Sequence, residues 1–430
     1  MILDVGSENN VKKAFNYPKL EIGVRVKPVV KIHGKWSGSV GVSSKFGLTV
    51  GALYRIAREY KWLASRITQL HMHPGSQVPR LRDLAKYFDE VMSTYEELRE
   101  MGFENLEILN PGGGLAYPYL DVREGTEESP DYTVVEYFKE LLSRVARASH
   151  KPKVVYEGGR FIVASHRIVV AKVIDVRAYA GVQLSQDQLE HLRPITVGLK
   201  STREIGEVIS RLKFLLIKLR QRAHVDNRER ILYEDLEAFT REEMALQIHE
   251  LALNGKLDAD EIMKERGALW VLTTPTKRFI LEMSLFTDMP DAVLLGQYFQ
   301  VVPSHRLSEK PDVLASLSDI TCDSMGELAK FKSPGKLLKT ASPLFTALDK
   351  KLIAHPGVEL TLRGIPLHIP RPDENYYVVF LDTGAYQDTL ATRHNLIPKA
   401  PEIIVDFNRE NGGLRVELVR HEDYTQYSKS

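Results

Sequence analysis

Three short motifs carry residue types that grip phosphate and hold protons: His71-Met72-His73-Pro74-Gly75-Ser76, Gly112-Gly113-Gly114 and Glu157-Gly158-Gly159-Arg160. Consecutive glycines let backbone N–H groups close around a phosphate, because no Cβ stands in the way. The Ser76 hydroxyl adds a donor, and Arg160 adds a charged fork for phosphate oxygens. Glu157 stands among these groups. A carboxylate beside a pyridine-type nitrogen keeps that nitrogen protonated, and a protonated ring drains electrons from an attached carbon. His73 can lie flat against such a ring. The plain alternatives are a tight turn for the glycines, a loop salt bridge for Glu157 and a satisfied core residue for His73. Three such motifs on successive strand ends point instead to a phosphate site.

His71 and His73 are two residues apart on a strand and share a face. A His-x-His pair also suggests a metal, but no third ligand follows at telling spacing, so no metal ligand is assigned. Cys322 lies within Asp319-Ile320-Thr321-Cys322-Asp323-Ser324. A free cysteine is most often a small buried hydrophobe. Flanked by two carboxylates, its thiol should resist ionising, which suits a neutral proton donor better than a resting thiolate.

These motifs need a scaffold of strands that all end on one side. Leu20 to Val26, Gln69 to Met72, Glu107 to Leu109 and Val154 to Tyr156 read as strands. Between them, Leu53, Ile56, Tyr60, Leu63 and Ile67 recur at helical spacing, as do Leu84, Phe88, Val91, Tyr95 and Leu98; a third helix spans Val134 to Ala148. Four repeats of strand then helix predict a parallel sheet or (β/α) barrel, whose chemistry sits at the C-terminal strand ends. The β-branched run Ile168, Val169, Val170, Val173, Ile174 breaks the rhythm and places a domain change near Ser165. The expected domains are residues 1–165, a first β-domain strand at 166–180, a helical insert at 181–266 and a β-rich domain at 267–430. In the insert, Ile205, Val208, Ile209, Leu212, Leu215, Leu216 and Leu219 form an apolar stripe. Arg211, Lys213, Lys218 and Arg220 between them read as a solvated face.

The chain has 430 residues, 43% hydrophobic and 27% charged, with a formal net charge of +1. This balance gives no electrostatic case for nucleic acid or an anionic membrane as partner. No apolar run is long enough to cross a bilayer, and Met1 to Asn10 does not read as a signal peptide. One cysteine excludes an internal disulfide framework and fits a reducing cytoplasm.

Several further stretches carry a family likeness. Gly34-Lys35-Trp36 with Ser44-Lys45-Phe46-Gly47-Leu48, His71 to Gln77 and Glu157 to Arg160 resemble biosynthetic arginine decarboxylases, in the wider group that includes ornithine and diaminopimelate decarboxylases. So do Ser284-Leu285-Phe286 with Met289-Pro290-Asp291-Ala292, Thr321 to Ser324, and Gly384-Ala385-Tyr386-Gln387 with His394-Asn395-Leu396. The resemblance implies an α/β fold: the C-terminal half of a pyridoxal-phosphate-binding (β/α)8 barrel, a helical insert and a C-terminal β-sandwich domain. It implies that His73 stacks on pyridoxal 5′-phosphate, that Ser76, Gly112, Gly113, Gly114, Gly159, Arg160 and Tyr386 hold its phosphate, and that Glu157 pairs with its ring nitrogen. Cys322 would return a proton after CO2 leaves, and Asp323 would bind the cationic end of an amino-acid substrate. Cys322 and Asp323 are expected to reach a partner subunit's site, in a homo-oligomer of two chains or more; magnesium is a family expectation only.

Family members begin with further strands, one carrying a Tyr-Pro-x-Lys type motif whose lysine links to the cofactor. Asn16-Tyr17-Pro18-Lys19 is not that motif, because Lys19 directly precedes the strand at Leu20. Asn110-Pro111 stands where Asp plus an apolar residue is usual, Pro74 replaces an apolar residue, and Met325 stands where many relatives have a second Asp. The function expected is conversion of L-arginine to agmatine and CO2 in polyamine synthesis, by a shortened chain. The alternatives are a decarboxylase of ornithine, lysine or diaminopimelate, and a half-enzyme or non-catalytic subunit that pairs with a separate lysine-bearing chain.

Overall fold

The computed structural model describes residues 2–178, 202–238, 275–332, 361–407 and 412–420, apart from scattered single positions and two pairs. Its contacts divide the chain into two units, Met1–Arg167 and Ile168–Ser430.

The first unit alternates strands and helices: β1 (Ile2–Val5), α1 (Glu8–Ala14), β2 (Glu21–Arg25), α2 (Val50–Glu59), α3 (Lys61–Ala64), β3 (Ile67–His71), α4 (Leu81–Glu100), β4 (Ile108–Asn110), α5 (Val134–Arg147), β5 (Lys153–Val154) and α6 (Gly159–Val163). The five strands form one parallel sheet in sequence order. Parallel pairing requires a crossover between strands, and each crossover here contains a helix. Val24 pairs with Leu70 and Leu70 with Leu109, so the sheet centre is apolar. Against it pack Leu84, Phe88, Val91, Tyr95 and Leu98 of α4 and Tyr137, Leu141 and Val145 of α5, all buried. Thr133 caps α5 through a box with Glu136: its hydroxyl accepts from the Glu136 N–H while the Glu136 carboxylate accepts from the Thr133 N–H.

Sequence periodicity missed β1 and α1. Four residues with one buried side chain leave no periodic signal. β5 is also shorter and earlier than read, at Lys153–Val154 rather than Val154 to Tyr156.

Phenols from this core reach up to the strand ends. Tyr87 donates to Pro111 O at 2.8 Å, Tyr137 to Gly113 O at 2.8 Å and Tyr132 to Val78 O at 2.7 Å. Burial holds all three phenol pKa values well above their ordinary value, so they stay protonated donors.

In the second unit, β6 (Val169–Ala178), β7 (Lys277–Leu281), β8 (Val301–Pro303), β9 (Val313–Ser318), β10 (Glu327–Leu328), β13 (Ile365–Leu367) and β14 (Tyr377–Phe380) make a seven-stranded sheet. Its order is β10-β9-β7-β6-β14-β8, with β13 also on β9. The pairs are antiparallel except β7 with β9. β11 (Phe331–Lys332) with β12 (Thr361–Leu362), and β15 (Glu402–Phe407) with β16 (Leu414–Arg420), are separate two-stranded ribbons. From the expected insert, α7 (Thr202–Ala223) buries Ile205, Ile209, Leu212 and Leu219 but leaves Leu215 exposed. Arg211, Lys213, Lys218 and Arg220 are exposed. Residues 181–201 and 239–266 of the insert lie outside the described residues.

Replacing Tyr137 by Phe strips the Gly113 carbonyl of a buried donor. The expected cost is about 1–2 kcal/mol, read by urea denaturation, with faster amide exchange in the Gly112–Gly114 loop. An unchanged midpoint would mean the phenol is not what holds that loop.

Candidate active site

The C-terminal ends of β3, β4 and β5 bring the three glycine- and histidine-bearing motifs together. His71 closes β3 and is 5% exposed. Its Nδ1 pairs with Asp4 Oδ2, and its Nε2 faces Glu157 Oε1 at 3.4 Å. Two residues on, His73 Nδ1 accepts from the Gly113 N–H at 3.1 Å and lies 4.0 Å from Glu157 Oε2. Burial lowers the His73 pKa to about 4; Arg25 and His71 push the same way, and Glu157 opposes them. At neutral pH the ring is therefore a neutral, flat surface beside a carboxylate.

Asn110 at the end of β4 ties two loops to each other. Its Nδ2 donates to Glu157 Oε1 at 2.9 Å, and its Oδ1 accepts from the Gly112 N–H at 2.8 Å. An aspartate there could accept but, while ionised, could not donate to a second carboxylate. The Asn at this position is thus matched to Glu157 rather than a neutral departure. The Glu157 N–H donates to Gly112 O at 3.1 Å, closing the link between the β4 and β5 loops.

Close packing of the loops also accounts for the glycine triplet. Gly112 and Gly114 have φ of +70° and +92°, and a Cβ on Gly112 would stand 2.6 Å from Met72 O and from His73 Nδ1. A Cβ on Gly113 would meet Glu157 O at 2.6 Å. The triplet is glycine because the β3 and β5 loops press against it. The N–H groups of Gly112 and Gly113 are spent on Asn110 and His73, not left for a ligand.

The open corner lies beside Gly159, where a Cβ would meet nothing within 4 Å. Nearby, Arg160 is 5% exposed; its Nε donates to Ser76 Oγ at 3.0 Å and its Nη1 to Tyr119 OH at 3.0 Å. The Trp36 ring lies 4.4 Å from the guanidinium centre. Arg160 is therefore built into the wall, and Ser76 is the hydroxyl it orients. Asp4 and Trp36 escaped sequence reading as site residues; neither sits in a motif with a chemical signature.

Cys322, Asp323 and Tyr386 belong to the second unit. Cys322 is exposed, so the small-hydrophobe reading fails. Its backbone N–H donates to Asn395 Oδ1 at 3.1 Å, and Asn395 Nδ2 approaches Sγ at 3.3 Å. Asp323 Oδ1 accepts from the Met325 N–H at 2.8 Å, and its Oδ2 is 3.8 Å from His394 Nε2. Asp319, the other flanking acid, turns inward to the Thr321 N–H and hydroxyl and to the Leu285 N–H. Tyr386 has φ of +68° and is 45% exposed. Its neighbour Gln387 is buried and exchanges hydrogen bonds with Asp291, which joins the Gly-Ala-Tyr-Gln and Met-Pro-Asp segments.

Among the described residues, donor atoms of His71, His73 and Glu157 lie within 4.8 Å of one another. This supplies the third ligand that spacing did not reveal. Two imidazoles and one carboxylate are a set for zinc rather than magnesium. Of these atoms, His73 Nδ1 is engaged by the Gly113 N–H and Glu157 Oε1 by Asn110, while His71 Nε2 has no hydrogen-bond partner. Lys19 is exposed at the N-terminal end of β2, opposite the site. Lys27 Nζ donates to Ser44 O and Val42 O. Among the described residues no helix is long and apolar enough to cross a membrane.

Residues 1–164 match the pyridoxal-binding domain of pyridoxal-dependent decarboxylases. The chain is 28% identical to the biosynthetic arginine decarboxylase of Bacteroides thetaiotaomicron over 95% of its own length and 62% of the relative's. It is 29% identical to that of Phocaeicola vulgatus over 87% and 57%. The crystal structure of the Campylobacter jejuni biosynthetic arginine decarboxylase superposes with a TM-score of 0.65 at 26% identity, covering 97% of this chain and 62% of that one. A diaminopimelate decarboxylase from Helicobacter pylori shares the fold at TM-score 0.54 and 13% identity. The chain thus carries the α/β fold of pyridoxal-dependent decarboxylases and spans about three fifths of the length of the curated relatives it matches.

An NMR titration of the imidazoles should find the His73 midpoint near 4. Because Glu157 raises that pKa, Glu157→Gln should move it lower still. A midpoint in the ordinary histidine range would mean that the pocket is wetter than described.

Proposed function

We propose that this chain acts in decarboxylation of a basic amino acid, L-arginine to agmatine and CO2, with pyridoxal 5′-phosphate held by the first unit. The observation that carries the reading is Glu157. One carboxylate oxygen is anchored by Asn110, while the other stands next to a neutral His73 and accepts no hydrogen bond among the described residues. That geometry fits a protonated ring nitrogen at Oε2 and a ring face on His73. The corner made by Ser76, Gly159 and the N-terminal turn of α6 fits the cofactor's phosphate, with Arg160 adding positive charge behind Ser76. When bound, pyridoxal phosphate supplies an electron-poor ring that accepts the electron pair left by departing CO2.

The chain's own residues supply the rest. Glu157 holds the proton on the ring nitrogen and keeps the ring electron-poor. Cys322 gives a proton to the carbon that lost CO2, and the Asn395 amide N–H steadies the sulfur as its charge grows. Asp323, kept in place by the Met325 N–H, offers Oδ2 to a guanidinium or ammonium. Arginine ranks above ornithine, lysine and diaminopimelate because the arginine decarboxylases match at higher identity. Assembly of two or more chains, and a reducing cytoplasmic setting suited to one free cysteine, belong to the same reading.

A second reading is a subunit that works with a lysine-bearing chain. The five-stranded sheet supports it, since β1 and β5 pair on one side only among the described residues. An unpaired parallel edge is a template for more strands.

The test combines purified chain, pyridoxal phosphate and each basic amino acid, with amine product measured directly. Agmatine formation from arginine, reduced about a hundredfold in Cys322→Ala with cofactor binding retained, supports the first reading. Absence of any amine product, together with a failure of borohydride to fix the cofactor, would sink it for the chain alone. Activity that returns on adding a lysine-bearing chain would establish the second.

A further inference from the structure

Asp4 reaches His71 from two strands away. In the sheet register Asp4 lies opposite Gly23, and Gly23 lies opposite Gln69. His71 is two residues beyond Gln69 on β3, on the same face. A Cβ on Gly23 would stand 2.6 Å from Asp4 Oδ1 and 3.0 Å from Gln69 Nε2. A glycine at position 23 is what leaves a path over β2 for the aspartate to meet the imidazole.

At the other end of the imidazole, Nε2 is buried and has no well-formed hydrogen bond. It is aimed at Glu157 Oε1, 3.4 Å away. A buried polar nitrogen left without a partner is costly, so its approach to the carboxylate is the contact open to it. Glu157 itself is 45% exposed at its side chain and has several rotatable bonds. One hydrogen bond from Asn110 fixes where Oε1 sits but leaves the carboxylate plane free to turn. A second contact to the same oxygen, from the rigid interior of the sheet, removes that freedom.

We infer that Asp4 and His71 are positioning residues: the chain Asp4–His71–Glu157, opened by Gly23, clamps Oε1 so that Oε2 faces the ring nitrogen of the cofactor. The inference rests on the pyridoxal-phosphate reading above. Asp4 sets the orientation of the imidazole through Nδ1, and the imidazole sets the carboxylate through Nε2. Such outer contacts orient a group without touching the ligand, as hydrogen bonds do for metal-bound histidines. The linkage spans β1, β3 and the loop after β5, so it ties the site to the first strand of the sheet.

The test uses the full chain and two probes, pyridoxamine 5′-phosphate and its 1-deaza analogue, in which C–H replaces the ring nitrogen. Neither probe has an aldehyde, so no lysine is required for binding. The chain should prefer the pyridine ring by about tenfold or more, the size of one hydrogen bond to a charged group. Glu157→Gln should abolish the preference. Asp4→Asn and His71→Gln should each cut it to about twofold or less while affinity for the deaza analogue stays within about twofold. Gly23→Ala, which crowds Asp4, should reproduce the Asp4→Asn result; thermal melting checks that each variant is folded. If Glu157→Gln loses the preference but the folded Asp4→Asn and Gly23→Ala variants keep it, the positioning role is wrong and the cofactor reading stands. If the unmodified chain binds neither probe, both fall.

Discussion

The site depends on one side-chain amide. Asn110 gives a hydrogen bond to Glu157 and takes one from Gly112. Two loops from neighbouring parallel strands would otherwise be independent, because parallel strands have no tight turn between them. Only a residue that both donates and accepts can join a carboxylate to a backbone N–H across that gap. With the join made, Gly112 accepts from the Glu157 N–H, and the Gly113 N–H is delivered to His73. The cluster is therefore set by a hydrogen-bond chain along the strand ends, and the glycines permit its compactness.

The phenols below it solve a different problem. Loops at the mouth of a sheet carry carbonyls that the ladder no longer satisfies, and burying them unpaired would be costly. Tyr87, Tyr132 and Tyr137 bring donors up from the helix side of the core. Because burial raises the pKa of those phenols, they remain donors at neutral pH. Core packing and loop geometry are thus carried by the same side chains. Tyr137, which lies edge-on to Phe88 and bonds to Gly113, shows this most directly.

The parts of this fold legible in the sequence were those with periodicity. α4 and α5 announce themselves through residues such as Phe88, Val91 and Tyr95, and all four strands expected from the sequence fall within two residues of their places. β1 was illegible because four residues carry no period, and with it went Asp4, whose partner is 67 positions away. The motifs were visible, but which of their groups face a ligand was not. The Gly112, Gly113 and Gly159 amides look equally available in the sequence; those of Gly112 and Gly113 are consumed internally, while Gly159 borders open space. Spacing reports that residues are near one another along a strand end; it does not report which hydrogen bonds are already taken.

The second unit presents its candidate residues by a contrary means, and the contrast bears on how the two units divide the work. Glu157 and His73 are held by dense hydrogen bonding on regular strand ends. Tyr386 and Asn395 stand instead on left-handed backbone, with φ of +68° and +53°. A non-glycine residue in that region stores of order 1–3 kcal/mol, which neighbouring structure must offset. The offset is visible beside each: Gln387 is buried against Asp291, and the Asn395 amide is tied to Cys322. Strain of this kind turns a side chain out of the local backbone direction, which is how an exposed Cys322 can be held by an amide without being buried by it. Under the proposed function, a cofactor ring would need a rigid bed and a proton donor an accessible atom in a fixed place; packed strand ends suit the first demand and anchored turns the second.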